Sequence, residues 1–269
     1  RTVFLKKTQG HGAYVYCCIR DQTGRWIVTG ADDNLIKLWN ARTGLLQTTY
    51  WGHSDLISDL AIGPYNRLLA SAANDKTVRL WEFLTGRALC VFSGHRESIE
   101  SICFDKYTGL LMSGSNDGSV CVWDCDAIYD KVVSGEVVEN KLKTPMVLPH
   151  VKDVSCTLNS GASSRTANAN RAPVYKSQMV NAVVPHPNGN FIATACEDGA
   201  TRVWCIKRDL AQNTNVRFRE APKAAASLVN CEFIDGANRL VHTLRGGETD
   251  MATVKWSNVG DRILCMSNK

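Results

Sequence analysis

The sequence contains no G-x-S-x-G, no H-E-x-x-H and no Gly-rich phosphate loop. The usual marks of serine hydrolases, zinc peptidases and nucleotide-using enzymes are therefore missing. No two cysteines are spaced C-x2-C, which removes the common zinc-finger and ribbon patterns. No apolar run approaches the roughly 18 residues of a membrane helix, and no signal-peptide pattern opens the chain. No N-x-S/T acceptor occurs. Basic runs are absent too: Lys6-Lys7 and Lys207-Arg208 are isolated pairs that read as solvated surface. A net charge of +5 is mild, and no nucleic-acid patch stands out. Arg1 stands where an initiator Met would, so the expectation is a piece of a longer protein.

What is present is an ordinary globular balance, 44% hydrophobic and 21% charged over 269 residues, enough to bury a full core. There are eleven cysteines, an odd number, and several sit inside apolar strand-like runs: Cys18, Cys103, Cys121 and Cys196. They read as reduced, buried small hydrophobes in an intracellular protein.

The strongest signal is repetition. Trp39, Trp81 and Trp123 stand 42 residues apart. His11, His53 and His95 precede those Trp at one constant interval, and each follows a Gly. Asp33, Asp75 and Asp117 lie six residues before the Trp, and Thr29, Ser71 and Ser113 four before the Asp. Two weaker units follow: Thr194, Asp198 and Trp204 keep the spacing without Gly-His, and Asp250 and Trp256 keep only the last interval. Each unit reads as four short strands around a tight turn such as Asn116-Asp117-Gly118. The fold class expected is all-β.

Ser, His and Asp are also the residues of a hydrolase triad. Three copies at a strict period argue instead for architecture, since an enzyme needs one site. The expected arrangement is a polar chain from Asp117 to His95 and through Ser113 to the Trp123 indole, locking a turn to a strand. No catalytic residue, cofactor or metal site is expected.

Residues 125–178 interrupt the period. "TLNSGASSRTANANRAP" is small, polar and turn-rich and reads as a mobile loop. A short helix fits "DAIYDKVVSGEVVENKL". The domain reading is three units over 1–124, an insertion over 125–178, and two divergent units with the start of a further strand over 179–269.

A period near 42 with Gly-His and Trp-Asp marks resembles the WD-repeat family. The stretches "GHGAYVYCCIRDQTGRWIVTGADDNLIKLWNARTG" and "LLASAANDKTVRLWEFLTGRALCVFSGHRESIESI" resemble the first blades of the bromodomain and WD-repeat proteins. The unit "VNAVVPHPNGNFIATACEDGATRVW" falls where that family has one lacking Gly-His. The resemblance implies a β-propeller with five recognisable blades. These either close by themselves or belong to a seven- or eight-bladed ring, completed in part by residues 1–9 and by chain beyond Lys269. It also implies a non-catalytic interaction scaffold, chromatin-associated and nuclear, with the cytoplasm as a second location. Other proteins, histone tails among them, are the implied partners. The rim residues that would meet them are Tyr14, Tyr16, Asp32, Leu56, Asn74, Arg96, Asn116 and Glu197. Asp32, Glu97, Glu100 and Glu197 would favour a basic peptide.

A second implication concerns cullin-4 ubiquitin ligases, whose WD-repeat substrate receptors carry Trp-Asp-x-Arg. Trp123-Asp124-Cys125-Asp126 puts Asp where Arg is needed. The nearest matches are Trp39-Asn40-Ala41-Arg42 and Trp204-Cys205-Ile206-Lys207, which make Arg42 and Lys207 candidate adaptor contacts.

Overall fold

The computed structural model describes residues 9–106, 109–125, 128–130, 146–149, 178–189, 191–205, 239–245 and 250–267. Short alternating runs separated by turn residues form antiparallel four-stranded sheets, each with its strands in chain order. The first holds β1 (Val15–Arg20), β2 (Trp26–Ala31), β3 (Ile36–Asn40) and β4 (Leu46–Tyr50). The second holds β5 (Ile57–Ile62), β6 (Leu68–Ala73), β7 (Thr77–Glu82) and β8 (Ala88–Ser93). The third holds β9 (Ile99–Phe104), β10 (Leu110–Ser115), β11 (Ser119–Asp124) and β12 (Met146–Pro149). The fourth holds β13 (Val180–Pro185), β14 (Phe191–Cys196), β15 (Ala200–Cys205) and β16 (Arg239–Arg245). A pair, β17 (Met251–Trp256) and β18 (Ile263–Ser267), begins a fifth.

The cores lie between sheets. Leu69, Trp81 and Phe83 of the second sheet bury themselves against Val28, Leu38 and Tyr50 of the first. Ile99, Leu111 and Trp123 meet Ala70, Leu80 and Phe92. Val180, Ile192 and Trp204 meet Met112, Val120 and Val122. Met251 and Val254 meet Ala182, Ala193 and Ala195. Ile57, Ile99, Val180 and Met251 of the first strands thus face the sheet before their own. The first strands β1, β5, β9, β13 and β17 touch one another in that order. Among the described residues this row of sheets does not close into a ring.

Every first strand carries one bulge. Tyr16, Ser58, Glu100, Asn181 and Ala252 are skipped in the pairing with the second strand. A bulge bends the strand and re-aims the extra side chain. Two of these side chains tie sheet to sheet: Ser58 Oγ donates to the Ile99 carbonyl at 2.5 Å, and Asn181 Nδ2 to that of Met251 at 2.8 Å.

Three expectations change. The insertion is not wholly outside the repeats, because Met146–Pro149 pairs with β11 as the outer strand of the third sheet. Arg239–Arg245, which precedes Asp250 and Trp256 within the two divergent units, pairs with β15 and completes the fourth sheet. Trp256 therefore ends the first strand of the fifth sheet rather than its third. Cys18 is exposed, not buried, because no described sheet covers that face of the first one. Residues 128–130 are helical, while the rest of the expected helix, the 157–173 stretch and residues 1–8 lie outside the described residues.

Candidate protein-interaction faces

At one end of each strand set, the turn between the second and third strands meets the loop that precedes the first strand. In the second sheet Trp81 Nε1 donates to Ser71 Oγ at 2.9 Å, and His53 Nε2 lies 2.7 Å from that hydroxyl. His53 Nδ1 meets Asp75 Oδ2 at 2.7 Å. The third sheet repeats this with Trp123 to Ser113 at 3.1 Å, His95 to Ser113 at 2.8 Å and His95 to Asp117 at 3.1 Å. The first uses Trp39, Thr29, His11 and Asp33, at 2.8, 2.7 and 3.0 Å. A neutral ring with its proton on Nδ1 satisfies every member: indole to hydroxyl, hydroxyl to Nε2, Nδ1 to carboxylate.

Each Asp does two further things. One oxygen accepts the backbone N–H two residues on and so caps the turn: Leu35, Thr77 and Ser119 are the donors. The other accepts the N–H that follows the His, from Gly12, Ser54 and Arg96. Burial alone raises the Asp75 and Asp117 carboxyls. Hydrogen bonds from His53 and Thr77 to Asp75, and from His95 and Ser119 to Asp117, outweigh it and hold both well below the usual range.

A hydrolase would need its hydroxyl in reach of substrate. Ser71 and Ser113 have no exposed surface, and each already accepts an indole proton. These groups are closed to a carbonyl substrate.

The fourth sheet solves the missing Gly-His differently. Trp204 Nε1 donates to Thr194 Oγ1 at 3.1 Å, as elsewhere. In place of a His, Arg202 forms a two-pronged pair with Asp198, at 3.1 Å to Oδ1 and 2.5 Å to Oδ2, both side chains nearly buried. Sequence reading missed Arg202. The available signal was its position two residues before Trp204, beside a unit with no His. Asp250 and Trp256 do not meet in this way: Asp250 is exposed, and Trp256 Nε1 donates to the Val184 carbonyl at 3.3 Å. In sequence, the position ten before Trp256 that holds Thr or Ser in the other units is a glycine, which offers an indole no side-chain acceptor, so the six-residue interval there is coincidental.

The rim residues gather at the same end. Asp32 N donates to Tyr14 O at 2.9 Å, and Asn74 N to Leu56 O at 3.1 Å. Asn116 N donates to Ser98 O at 2.9 Å, and Glu197 N to Met179 O at 3.0 Å. One backbone bond thus recurs four times and holds each turn against its loop. Ser98 and Met179 belong to the set and were missed, although the 42-residue step from Leu56 leads to Ser98. Arg96 is exposed beside them, and its backbone serves Asp117. Tyr14 and Tyr16 are 81% and 59% exposed. The bulged Glu100 is fixed by Asn116 Nδ2 at 2.6 Å.

Arg42 lies at the opposite end, in the turn between β3 and β4. Asn40 Oδ1 accepts the Arg42 and Thr43 N–H groups at 3.0 and 2.9 Å, and the Arg42 side chain is exposed. The structure therefore separates Arg42 from the Tyr14–Asp32 rim. Lys207 lies outside the described residues.

The WD domain, G-beta repeat family model matches residues 2–40, 44–82, 86–124 and 172–205, more than half of the chain. The chain belongs to the WD-repeat family. The matched stretches are offset from the sheets by one strand: 44–82 runs from β4 of the first sheet to β7 of the second, and 86–124 from β8 of the second to β11 of the third. WD-repeat proteins are generally non-catalytic and generally act as scaffolds that bind other proteins. The chain is 43% identical over 61 residues to a bromodomain and WD repeat-containing protein of Dictyostelium discoideum. It is 39% identical over 54 residues to the pre-mRNA-splicing factor PRP46 of Candida glabrata, and 37% over 54 to that of Saccharomyces cerevisiae. These matches cover 23%, 20% and 20% of the chain, and 3%, 13% and 12% of the relatives. The matched part is thus a small fraction of each relative's length.

Proposed function

We propose that this chain is a non-catalytic protein-interaction scaffold that works in the nucleus, in chromatin regulation, and takes basic peptides such as histone tails on its Tyr14–Asp32 rim. The observation that carries the reading is the fourfold backbone bond between turn and loop. It presents exposed side chains on a surface that is already ordered, so binding loses little further entropy. Tyr14 and Tyr16 supply rigid aromatic area, and Asp32, Glu100 and Glu197 supply negative charge on a chain that is positive overall. Similarity to a bromodomain and WD repeat-containing protein supports the chromatin assignment, and similarity to splicing factors supports the nucleus more broadly. Residues 1–124 and 179–269 carry the repeats, and the 125–178 insertion returns one strand to the third sheet.

Chromatin fractionation tests this directly. The chain should co-fractionate with chromatin, and Tyr16→Asp combined with Asp32→Lys should release it while leaving its melting temperature unchanged. Equal retention of the double variant would remove the rim from the account.

A second reading has its own observation. Arg42 projects from a turn fixed by Asn40, three residues after Trp39, as a cullin-4 adaptor contact requires. If the chain is a ligase receptor, Arg42→Asp should abolish adaptor co-purification and leave folding intact. Unchanged co-purification would withdraw Arg42 from that role.

A further inference from the structure

The turn between β5 and β6 is built unlike its counterparts. Gly24, Gly109 and Gly189 take the left-handed backbone conformation in the equivalent turns, at φ 72°, 63° and 76°. In the second sheet Tyr65 and Asn66 take it in succession, at φ 60° and 54°. Residues with a Cβ avoid that region, and such strain persists only where the surroundings impose it. Asn66 Nδ2 donates to Asp21 Oδ2 at 2.8 Å across the junction with the first sheet. Tyr65 is thereby held outward, 82% exposed. A glycine would serve the turn without strain, so the turn geometry by itself does not call for a tyrosine.

Beside it, the Arg67 guanidinium carbon lies over the Tyr65 ring and over the Tyr129 ring, 5.7 Å from each centroid. With Lys106 and Asp130 these residues line a cavity of about 290 Å³. Both rings lie within cation–π range of the guanidinium, an interaction that leaves its N–H groups available to a two-oxygen acceptor. Among the described residues no carboxylate pairs with Arg67 or Lys106.

We propose that this cavity binds a compact oxyanion carried on a partner peptide's side chain, either a phosphorylated residue or a carboxylate. Tyr65 and Tyr129 each have Arg67 over one face, so the ring face turned to the cavity is not free to stack a base, and competition with a nucleic-acid strand is one arm of the test below. The volume suits one side-chain head rather than a polymer backbone. Asp130 opposes an incoming anion, so its removal should strengthen binding. The site lies at the Arg42 end of the strands and does not depend on the rim proposed above.

Fluorescence anisotropy with the whole chain tests it, using three labelled heptapeptides alike except for phosphoserine, glutamate or serine at the centre. The phosphoserine peptide should bind about tenfold or more tighter than the serine peptide, as a charge-assisted two-pronged bond gives. The glutamate peptide decides which oxyanion is preferred: parity with phosphoserine supports a carboxylate, and parity with serine a phosphate. Arg67→Gln should erase the preference, Arg67→Lys should keep only part of it, and Asp130→Asn should increase it. Arg25→Gln makes the same charge change on the first sheet and should leave binding unaltered. Circular dichroism checks folding, and Lys106→Gln replaces Arg67→Gln should the latter unfold. Equal binding of phosphoserine and serine peptides, or equal loss in Arg25→Gln, would overturn the site. Displacement of the phosphopeptide by a lower concentration of oligothymidylate would overturn the peptide assignment.

Discussion

Trp123 donates an indole N–H hydrogen bond to Ser113, which has no exposed surface, and the Ser113 hydroxyl in turn donates to His95. Removing either end of such a chain leaves a buried group unpaired, which costs more than the bond itself contributes. Trp123→Ala also opens a cavity beside Phe92, whose ring centroid lies 4.7 Å away. Trp123→Ala should therefore cost about 3–5 kcal/mol, and Asp117→Ala a few kcal/mol. Chemical denaturation measures both. Losses no larger than those of ordinary surface substitutions, below about 0.5 kcal/mol in each, would contradict the network. The depressed Asp75 and Asp117 carboxyls fix a pH dependence with a definite sign. Ionised in the fold and easier to protonate when unfolded, they contribute stability above the unfolded carboxyl value of about 3.9, and lose it as pH falls toward their folded values. Denaturation midpoints should drop on acidification below about pH 4, and Asp75→Asn should flatten the drop. In the fourth sheet, Arg202→Met removes the cationic partner of the nearly buried Asp198, which keeps the Ala200 N–H, and should cost about 3–5 kcal/mol. A cost as small as that of a surface change, under about 0.5 kcal/mol, would mean that Asp198 is satisfied by other groups.

Strands differ in how much of their identity the sequence displays. First, second and third strands carry the His–Ser–Asp–Trp positions or lead directly into them, so their place in three units could be read from the 42-residue step. Outer strands carry no such residue. Leu46–Tyr50 has only two or three positions turned to a core. Met146–Pro149 comes long after the Asp124 that ends its partner strand, and Arg239–Arg245 longer still after Cys205. A pattern without fixed spacing or side-chain marks cannot be assigned by periodicity, and both late outer strands were missed. Trp256 shows the converse error, since one coincidental interval from Asp250 carried a whole unit. Arg202 shows a third: the spacing marked the Asp that needed a partner but not the residue type that would supply it. The outer strand of the third sheet gives an element-scale expectation. Deleting residues 146–149 bares the edge of β11, and bare edges recruit other chains. Thermal melting with light scattering should show earlier aggregation than the parent chain, and an unchanged melt would argue that β12 adds nothing to the sheet.

Across the whole molecule, stability is shared between neighbouring sheets rather than held within them, because each core is made of one face from each of two sheets. Among the described residues, an end sheet therefore keeps a face that no other sheet covers. Val15 is 50% exposed, while its counterparts Ile57, Ile99 and Val180 are fully buried. A cavity of about 690 Å³ lies on the same face, lined by Val15, Ile27 and Trp39. At the other end Leu264 and Met266 are 63% and 56% exposed. The two uncovered faces are of the kinds that pack together at every internal junction, so a head-to-tail contact between copies would reuse that packing. Sedimentation velocity over a range of protein concentrations tests the claim that these sheets depend on one another. The account predicts concentration-dependent association of residues 1–269 that Val15→Glu together with Met266→Glu suppresses. A cooperatively melting monomer at every concentration, with or without those substitutions, would contradict it.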